Sequence, residues 1–188
     1  MPSITGIFPR IIYSEQLKIT DSYNDEIKRE IINTLNNDKS VGSITDSRTT
    51  FFSNSNNPEH VNQILDNPVF APLFSMIKEN VEKLWTSLNL RGSLKICNMW
   101  FSISDPGQCH AYHKHPGSVL SGVYYVQASP SMELTFISDG PIDYPDHNEK
   151  LNSKKLILFD SGLIHGFTPV KQDEEQKITI SFNYKYSF

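Results

Sequence analysis

The chain has 188 residues, 38% of them hydrophobic and 20% charged, with a formal net charge of −4. That composition is ordinary for a soluble globular domain with a core of its own. The acidic balance argues against a general nucleic-acid binder, and two cysteines exclude a disulfide scaffold and an all-cysteine metal cage.

The opening stretch MPSITGIFPRII lacks the basic and apolar blocks of a signal peptide, and no window is apolar enough to span a bilayer. These signals predict a cytoplasmic protein with Cys97 and Cys109 reduced. Residues 21–37 place Ile27, Ile31 and Leu35 at helical spacing, with Asp21 or Ser22 as the cap. Residues 42–57 are crowded with Ser and Asn and read as a loop, with a short strand at Thr49–Phe52. Pro58 suits the start of a short helix, PEHVNQILD. A longer helix over 71–88 carries Leu73, Phe74, Ile77, Val81, Leu84 and Trp85 on one face, and Asn89 and Gly92 end it.

Beyond Gly92 the period changes to that of strands. Residues 94–104, 118–127, 132–138, 154–160 and 177–186 are rich in β-formers and separated by Pro, Gly and Asn clusters. Residues 139–153 read as a long polar loop, a common form for a lid. The chain is therefore one domain, with 1–92 as helical support and loops and 93–188 as the strands of the core. The order predicts a mostly β fold, a sandwich or barrel with the N-terminal helices packed outside.

Three of the six histidines fall between 110 and 115. On an extended strand His113 and His115 share a face, about 7 Å apart along the backbone. His110 has the other parity and points away if the strand runs unbroken. His165 follows the apolar strand 156–159 and a Ser161–Gly162 turn, which suits a third ligand at a barrel mouth. Two close imidazoles and a distant one make a three-ligand site with open positions, the layout of non-haem iron oxygenases. A closed structural zinc site is the rival, with His110 or Cys109 as fourth ligand. His60 and His147 read as bystanders, and Arg48 as a surface charge or a substrate contact in its loop.

Lys177, Thr179 and Ser181 share one face of the last strand. A lysine facing a barrel interior is costly unless an anion enters.

Four blocks in order resemble one family. HKHPGSVLSGVYYV (113–126), MELTFISDGP (132–141), KLILFDSGLIHGFTPV (155–170) and KITISFNYKY (177–186) are similar to the motifs of the small 2-oxoglutarate/Fe(II) oxygenases of bacteria and marine phages. MWFSISDPG (99–107) resembles that family's Trp-containing strand and turn. The resemblance spans about 94–186 and implies a double-stranded β-helix, a jelly-roll or cupin-like barrel. It implies an Fe(II)- and 2-oxoglutarate-dependent dioxygenase in the cytoplasm of a bacterium or a phage-infected host. Such an enzyme uses O2 to hydroxylate a C–H bond of a peptide or small molecule, releasing succinate and CO2. His113, His115 and His165 then stand at the metal positions, with His115 where the wider superfamily has Asp or Glu. Lys177 stands at the basic position for the far carboxylate of 2-oxoglutarate, where the family usually has Arg, and Thr179 where a Ser hydroxyl commonly assists. Tyr125, Asn98, Asn183 and Ser181 complete the expected cosubstrate pocket. The segments 42–57 and 139–153 are the expected substrate contacts. The resemblance leaves a homodimer open and implies neither nucleic-acid nor membrane binding. Two alternatives stand beside this reading: a three-His cupin-type iron dioxygenase that does not use 2-oxoglutarate, and a non-catalytic metal-binding barrel.

Overall fold

The structure is a computed structural model that describes residues 10–38, 42–44, 47–57, 59–139 and 145–187. The expected helix start at Pro58 and parts of the two expected substrate loops (45–46 and 140–144) lie outside the described residues.

Helix α1 (Asp21–Asn37) covers the predicted span, but its cap lies one residue earlier: Thr20 Oγ1 accepts the Tyr23 N–H at 3.2 Å. Its buried stripe is Ile27, Ile31 and Leu35, joined by the polar Asn24. Helices α2 (Ser53–Asn56) and α3 (His60–Leu65) are short. Helix α4 (Ala71–Ser87) starts with a proline in its first turn and buries Leu73, Ile77, Val81 and Leu84.

Eleven strands are described. From the N-terminal half come β1 (Ile12–Gln16), β2 (Gly42–Ile44) and β3 (Ser47–Thr49). The rest are β4 (Ser93–Ser104), β5 (His110–His113), β6 (Leu120–Gln127), β7 (Glu133–Ile137), β8 (His147–Lys150), β9 (Lys155–Asp160), β10 (Ile164–Phe167) and β11 (Lys177–Ser187). They form a seven-stranded sheet, β1-β9-β6-β11-β4-β3-β2, and a four-stranded sheet, β5-β10-β7-β8. Neighbouring strands are antiparallel, and the architecture is the expected mostly β double-stranded β-helix with flanking helices.

Three features differ from the sequence reading. Strand β1 was not signalled; it pairs with β9 in register from Ile12↔Phe159 to Gln16↔Lys155. The expected strand at Thr49–Phe52 lies earlier, as β3, and pairs with β4 through Arg48↔Ile103 and Thr49↔Ser102. The expected loop 139–153 contains β8, which pairs with β7. The first half of the chain therefore supplies sheet edges as well as helices.

The large sheet has two faces because side chains alternate along a strand. On β11, Ile178, Ile180, Phe182 and Tyr184 pack beneath α1 and α4 in one apolar cluster. Asn24 fastens α1 to this face: its Nδ2 donates to Val126 O and its Oδ1 accepts from Tyr124 Oη, each at 2.8 Å. A second cluster, including Val123, Tyr125, Leu134, Phe136, Ile157 and Phe159, fills the space between the two sheets. Into this inner space β11 turns Lys177, Thr179, Ser181 and Asn183. Polar side chains facing a barrel interior cost stability unless they are satisfied, so this face is where function is to be sought.

Candidate active site

Strands β5 and β10 pair with His113 directly opposite His165. His165 also sits opposite Phe136 of β7, which fixes it in the middle of the small sheet. Gly166, next along β10, is demanded by packing: a Cβ there would lie 2.9 Å from His110 O and 3.0 Å from the Tyr112 ring. Strand β5 ends at His113, so His115 is not on the strand as its spacing predicts. It lies in the following turn, where its N–H donates to Ser161 O at 3.0 Å. The ring still turns inward, and the ring nitrogens of His113, His115 and His165 lie within 4.8 Å of one another.

The outer nitrogens are fixed by the surroundings. His113 Nδ1 lies 2.8 Å from Ala111 O, and His165 Nδ1 lies 2.9 Å from Leu163 O. A carbonyl only accepts, so both Nδ1 atoms carry the proton and both Nε2 lone pairs are free. His115 Nδ1 faces the Asn183 side-chain amide at 3.4 Å, and its Nε2 is 3.3 Å from His165 Nε2.

Burial keeps these rings neutral. Desolvation, followed by the neighbouring imidazoles, pushes His115 down to about 3. Desolvation and then His113 push His165 down to about 4, and desolvation also lowers His113. Neutral imidazoles with converging lone pairs are a donor set suited to a first-row transition metal. Acid should therefore destabilise the chelator-treated protein. An unfolded histidine titrates near 6.5 and buried His165 near 4, so the unfolded chain binds more protons across that window. Stability is at its full value above about pH 6.5 and falls as pH drops through the window, the contribution of His165 levelling off below about 4. His165 alone accounts for on the order of 3 kcal/mol at ~1.4 kcal/mol per pH unit. Urea midpoints measured from neutral pH to about pH 4 check this, and a flat midpoint would contradict it.

His110 is not where its parity puts it. The β5–β10 register shifts between His165 and Phe167, and this irregularity turns His110 to the same side as His113. The two rings stack at 4.2 Å with planes 20° apart. Even so, His110 and Cys109 stand outside the convergent ligand set, which among the described residues is the three histidines alone. Among the described residues no fourth ligand joins them to close a zinc site.

Below the histidines is a chamber of about 60 Å³. Its floor holds Lys177, only 5% exposed, with Nζ 2.9 Å over the Phe167 ring. No described carboxylate lies within ion-pair distance of that Nζ. Desolvation pushes the lysine well below its usual range. Thr179, Ser181 and Tyr125 line the same chamber, as the sequence predicts. Asn98 and Asn183 do not. They line an outer cleft of about 510 Å³ with Phe51, Tyr112 and Lys185, and this cleft shares Trp100, His110, His113 and His115 with the chamber.

Sequence reasoning missed the hydroxyl wall of the chamber, made by Ser47 and Thr49 of β3 and Ser102 and Ser104 of β4. Ser47 Oγ meets Ser104 Oγ at 2.7 Å, and Ser102 Oγ donates to Thr49 Oγ1 at 3.0 Å. Ser102 and Ser104 carried a signal, since they alternate with Phe101 and Ile103 on β4. Ser47 and Thr49 sit in a polar run without periodicity and carried none.

Residues 98–183 match the sequence profile of a family described as "Putative 2OG-Fe(II) oxygenase". Among solved structures, a prolyl-4-hydroxylase of Pseudomonas putida is similar over 94% of this chain and 93% of its own, at 10% identity and a TM-score of 0.66. The viral collagen prolyl hydroxylase of Paramecium bursaria Chlorella virus-1, in complex with 2-oxoglutarate, covers 94% and 96% at 14% identity and a TM-score of 0.63. HygX of Streptomyces hygroscopicus, with nickel and 2-oxoglutarate bound, covers 94% and 83% at 12% identity and a TM-score of 0.63. No curated protein matches the chain. A shared fold at such identities would not by itself define chemistry, but the profile match spans His113, His115, His165 and Lys177. Over that segment the chain is similar to the 2OG-Fe(II) oxygenase family. The match and the three-His cluster support a 2-oxoglutarate-dependent non-haem iron oxygenase, with Fe(II) as metal and 2-oxoglutarate as cosubstrate.

Proposed function

We propose that His113, His115 and His165 hold the Fe(II), and that Lys177, helped by Thr179, Ser181 and Tyr125, holds the far carboxylate of 2-oxoglutarate in the chamber beneath. The observation that carries this reading is the pairing of two things in one chamber: three convergent neutral imidazoles and a buried lysine with no carboxylate counter-ion among the described residues. A charge kept out of water at such cost is repaid when an anion of matching shape enters.

When bound, Fe(II) would activate O2 as the oxidant, with one oxygen atom oxidising 2-oxoglutarate to succinate and CO2 and the other going into a C–H bond of the substrate. The protein's residues do the positioning. The backbone carbonyls of Ala111 and Leu163 keep His113 and His165 in the ligating tautomer. Phe136 and Phe159, with ring centroids 6.0 and 4.5 Å from that of His165, keep water from its buried side. Lys177 and the hydroxyl wall orient the cosubstrate.

The substrate is a peptide or small molecule entering the outer cleft, and the reaction is its hydroxylation. Related folds accept both classes: one structure holds a hypoxia-inducible-factor peptide fragment and another hygromycin B. Cytoplasmic placement goes with this reading, and no described helix is long and apolar enough to cross a membrane. The test is succinate formation from 2-oxoglutarate by the Fe(II)-loaded protein, with candidate peptides and small molecules supplied in turn. Substrate-stimulated succinate supports the proposal. Oxidation of a substrate without 2-oxoglutarate would favour the three-His dioxygenase instead.

A further inference from the structure

Two of the three imidazoles have their tautomer set by a backbone carbonyl, which can only accept. His115 has no such carbonyl. Its Nδ1 faces the Asn183 side-chain amide at 3.4 Å. Asn183 is in turn fixed by a buried chain: its Oδ1 lies 2.7 Å from Ser121 Oγ, which lies 2.8 Å from Ser161 Oγ. Asn183, Ser121 and Ser161 are each 3% exposed or less. The Ser161 carbonyl also receives the His115 N–H at 3.0 Å. One small network thus grips His115 by its backbone and by its ring.

This network has two polarities. In the first, Asn183 Nδ2 donates to His115 Nδ1, Ser121 Oγ–H donates to Asn183 Oδ1, and Ser161 Oγ–H donates to Ser121. His115 then carries its proton on Nε2, where it points at His165 Nε2 3.3 Å away. In the second, the amide is turned over. Asn183 Oδ1 accepts from His115 Nδ1–H, Nδ2 donates to Ser121 Oγ, and Ser121 Oγ–H donates to Ser161. Only the second leaves the His115 Nε2 lone pair free. Both are open because a carboxamide offers a donor and an acceptor in nearly the same shape, and a serine hydroxyl turns to suit.

We propose that Asn183 is the positioning residue of the metal centre, its carboxamide turned by the Ser121–Ser161 pair so that His115 presents a free Nε2 to the metal. This rests on the reading of His115 as a metal ligand. In most metal sites a ligating imidazole is oriented by a carboxylate or carbonyl partner. Here a side-chain amide does that work, at the ligand position where the wider superfamily has a carboxylate that needs no tautomer.

The test uses Co(II) binding to the full chain, followed by its visible absorption. Asn183→Leu removes both polar atoms at similar size, while Asn183→Asp keeps an acceptor facing His115 Nδ1. Asn183→Leu is expected to bind Co(II) about 10- to 100-fold more weakly, with Asn183→Asp within a few-fold of the unaltered protein. A leucine variant with undiminished Co(II) affinity would overturn the proposal. Should that variant not fold, nitrogen-15 NMR of the unaltered, Zn(II)-loaded chain decides: the proposal requires the His115 proton on Nδ1, and a bare Nδ1 contradicts it. His115→Ala separates the two levels. If it binds Co(II) as well as the unaltered protein, His115 is no ligand and the underlying reading fails. If it loses Co(II) while Asn183→Leu does not, only the role of Asn183 falls.

Discussion

Replacing Lys177 by methionine is expected to make the ligand-free protein more stable and to weaken 2-oxoglutarate binding by a hundredfold or more. Both effects follow from the same burial. The lysine is 5% exposed, has no described carboxylate partner and is pushed far down by desolvation. Methionine fills a similar volume without the cost of desolvating a charge, a gain of roughly 1–3 kcal/mol. Removing one partner of a buried ion pair costs about 3–5 kcal/mol, or a factor of at least ~100 in affinity at 1.4 kcal/mol per tenfold. Thermal unfolding without ligand and a 2-oxoglutarate titration measure the two arms. Lys177→Arg is a sharper comparison. Arginine keeps the charge but needs room for a planar fork above Phe167, where Lys177 Nζ already sits 2.9 Å from the ring centre. A methionine variant that bound 2-oxoglutarate normally would place the carboxylate anchor elsewhere than Lys177.

Replacing His165 by alanine is expected to abolish metal binding and turnover. His165 stands opposite His113 in the sheet and is the most buried of the three. Loss of a direct ligand should exceed the ~100-fold cost of losing an outer partner. His165→Gln separates this from packing, because glutamine retains bulk against Phe159 and Phe136 without restoring an imidazole. His110→Ala is the informative control. His110 stacks on His113 yet lies outside the convergent set, so Fe(II) affinity should change by only a few-fold. Equal losses in His110→Ala and His165→Ala would mean a four-ligand site, which would be closed and structural. Metal content by elemental analysis after loading reads all three variants.

The parts of the fold legible in the sequence were those where one face is buried over several turns or pairs. Helices α1 and α4 and strands β4, β6, β9 and β11 all carry such patterns, and the polar face of β11 pointed to the chamber. The histidine triad was legible from residue type and order. Its local geometry was not, for identifiable reasons. His115 lies past the end of β5, so strand parity does not apply to it, and its inward turn comes from a hydrogen bond to Ser161. His110 was misjudged because the register shift between β5 and β10 depends on a partner strand some fifty residues away. Strand β1 is half polar and held by β9, and β8 is the polar segment HNEK, held by β7. Neither has a periodicity of its own. The hydroxyls of Ser47 and Thr49 and the contact of Asn183 with His115 are tertiary, created only when distant segments meet.

The most direct test of the account is an anaerobic titration of the Fe(II)-loaded protein with 2-oxoglutarate, followed by visible absorption. The account predicts a new charge-transfer band that grows with one equivalent of 2-oxoglutarate and is absent in His165→Ala. It also predicts that the Lys177→Met variant shows the band only at far higher 2-oxoglutarate. Protein that holds Fe(II) but shows no band at saturating 2-oxoglutarate would contradict it.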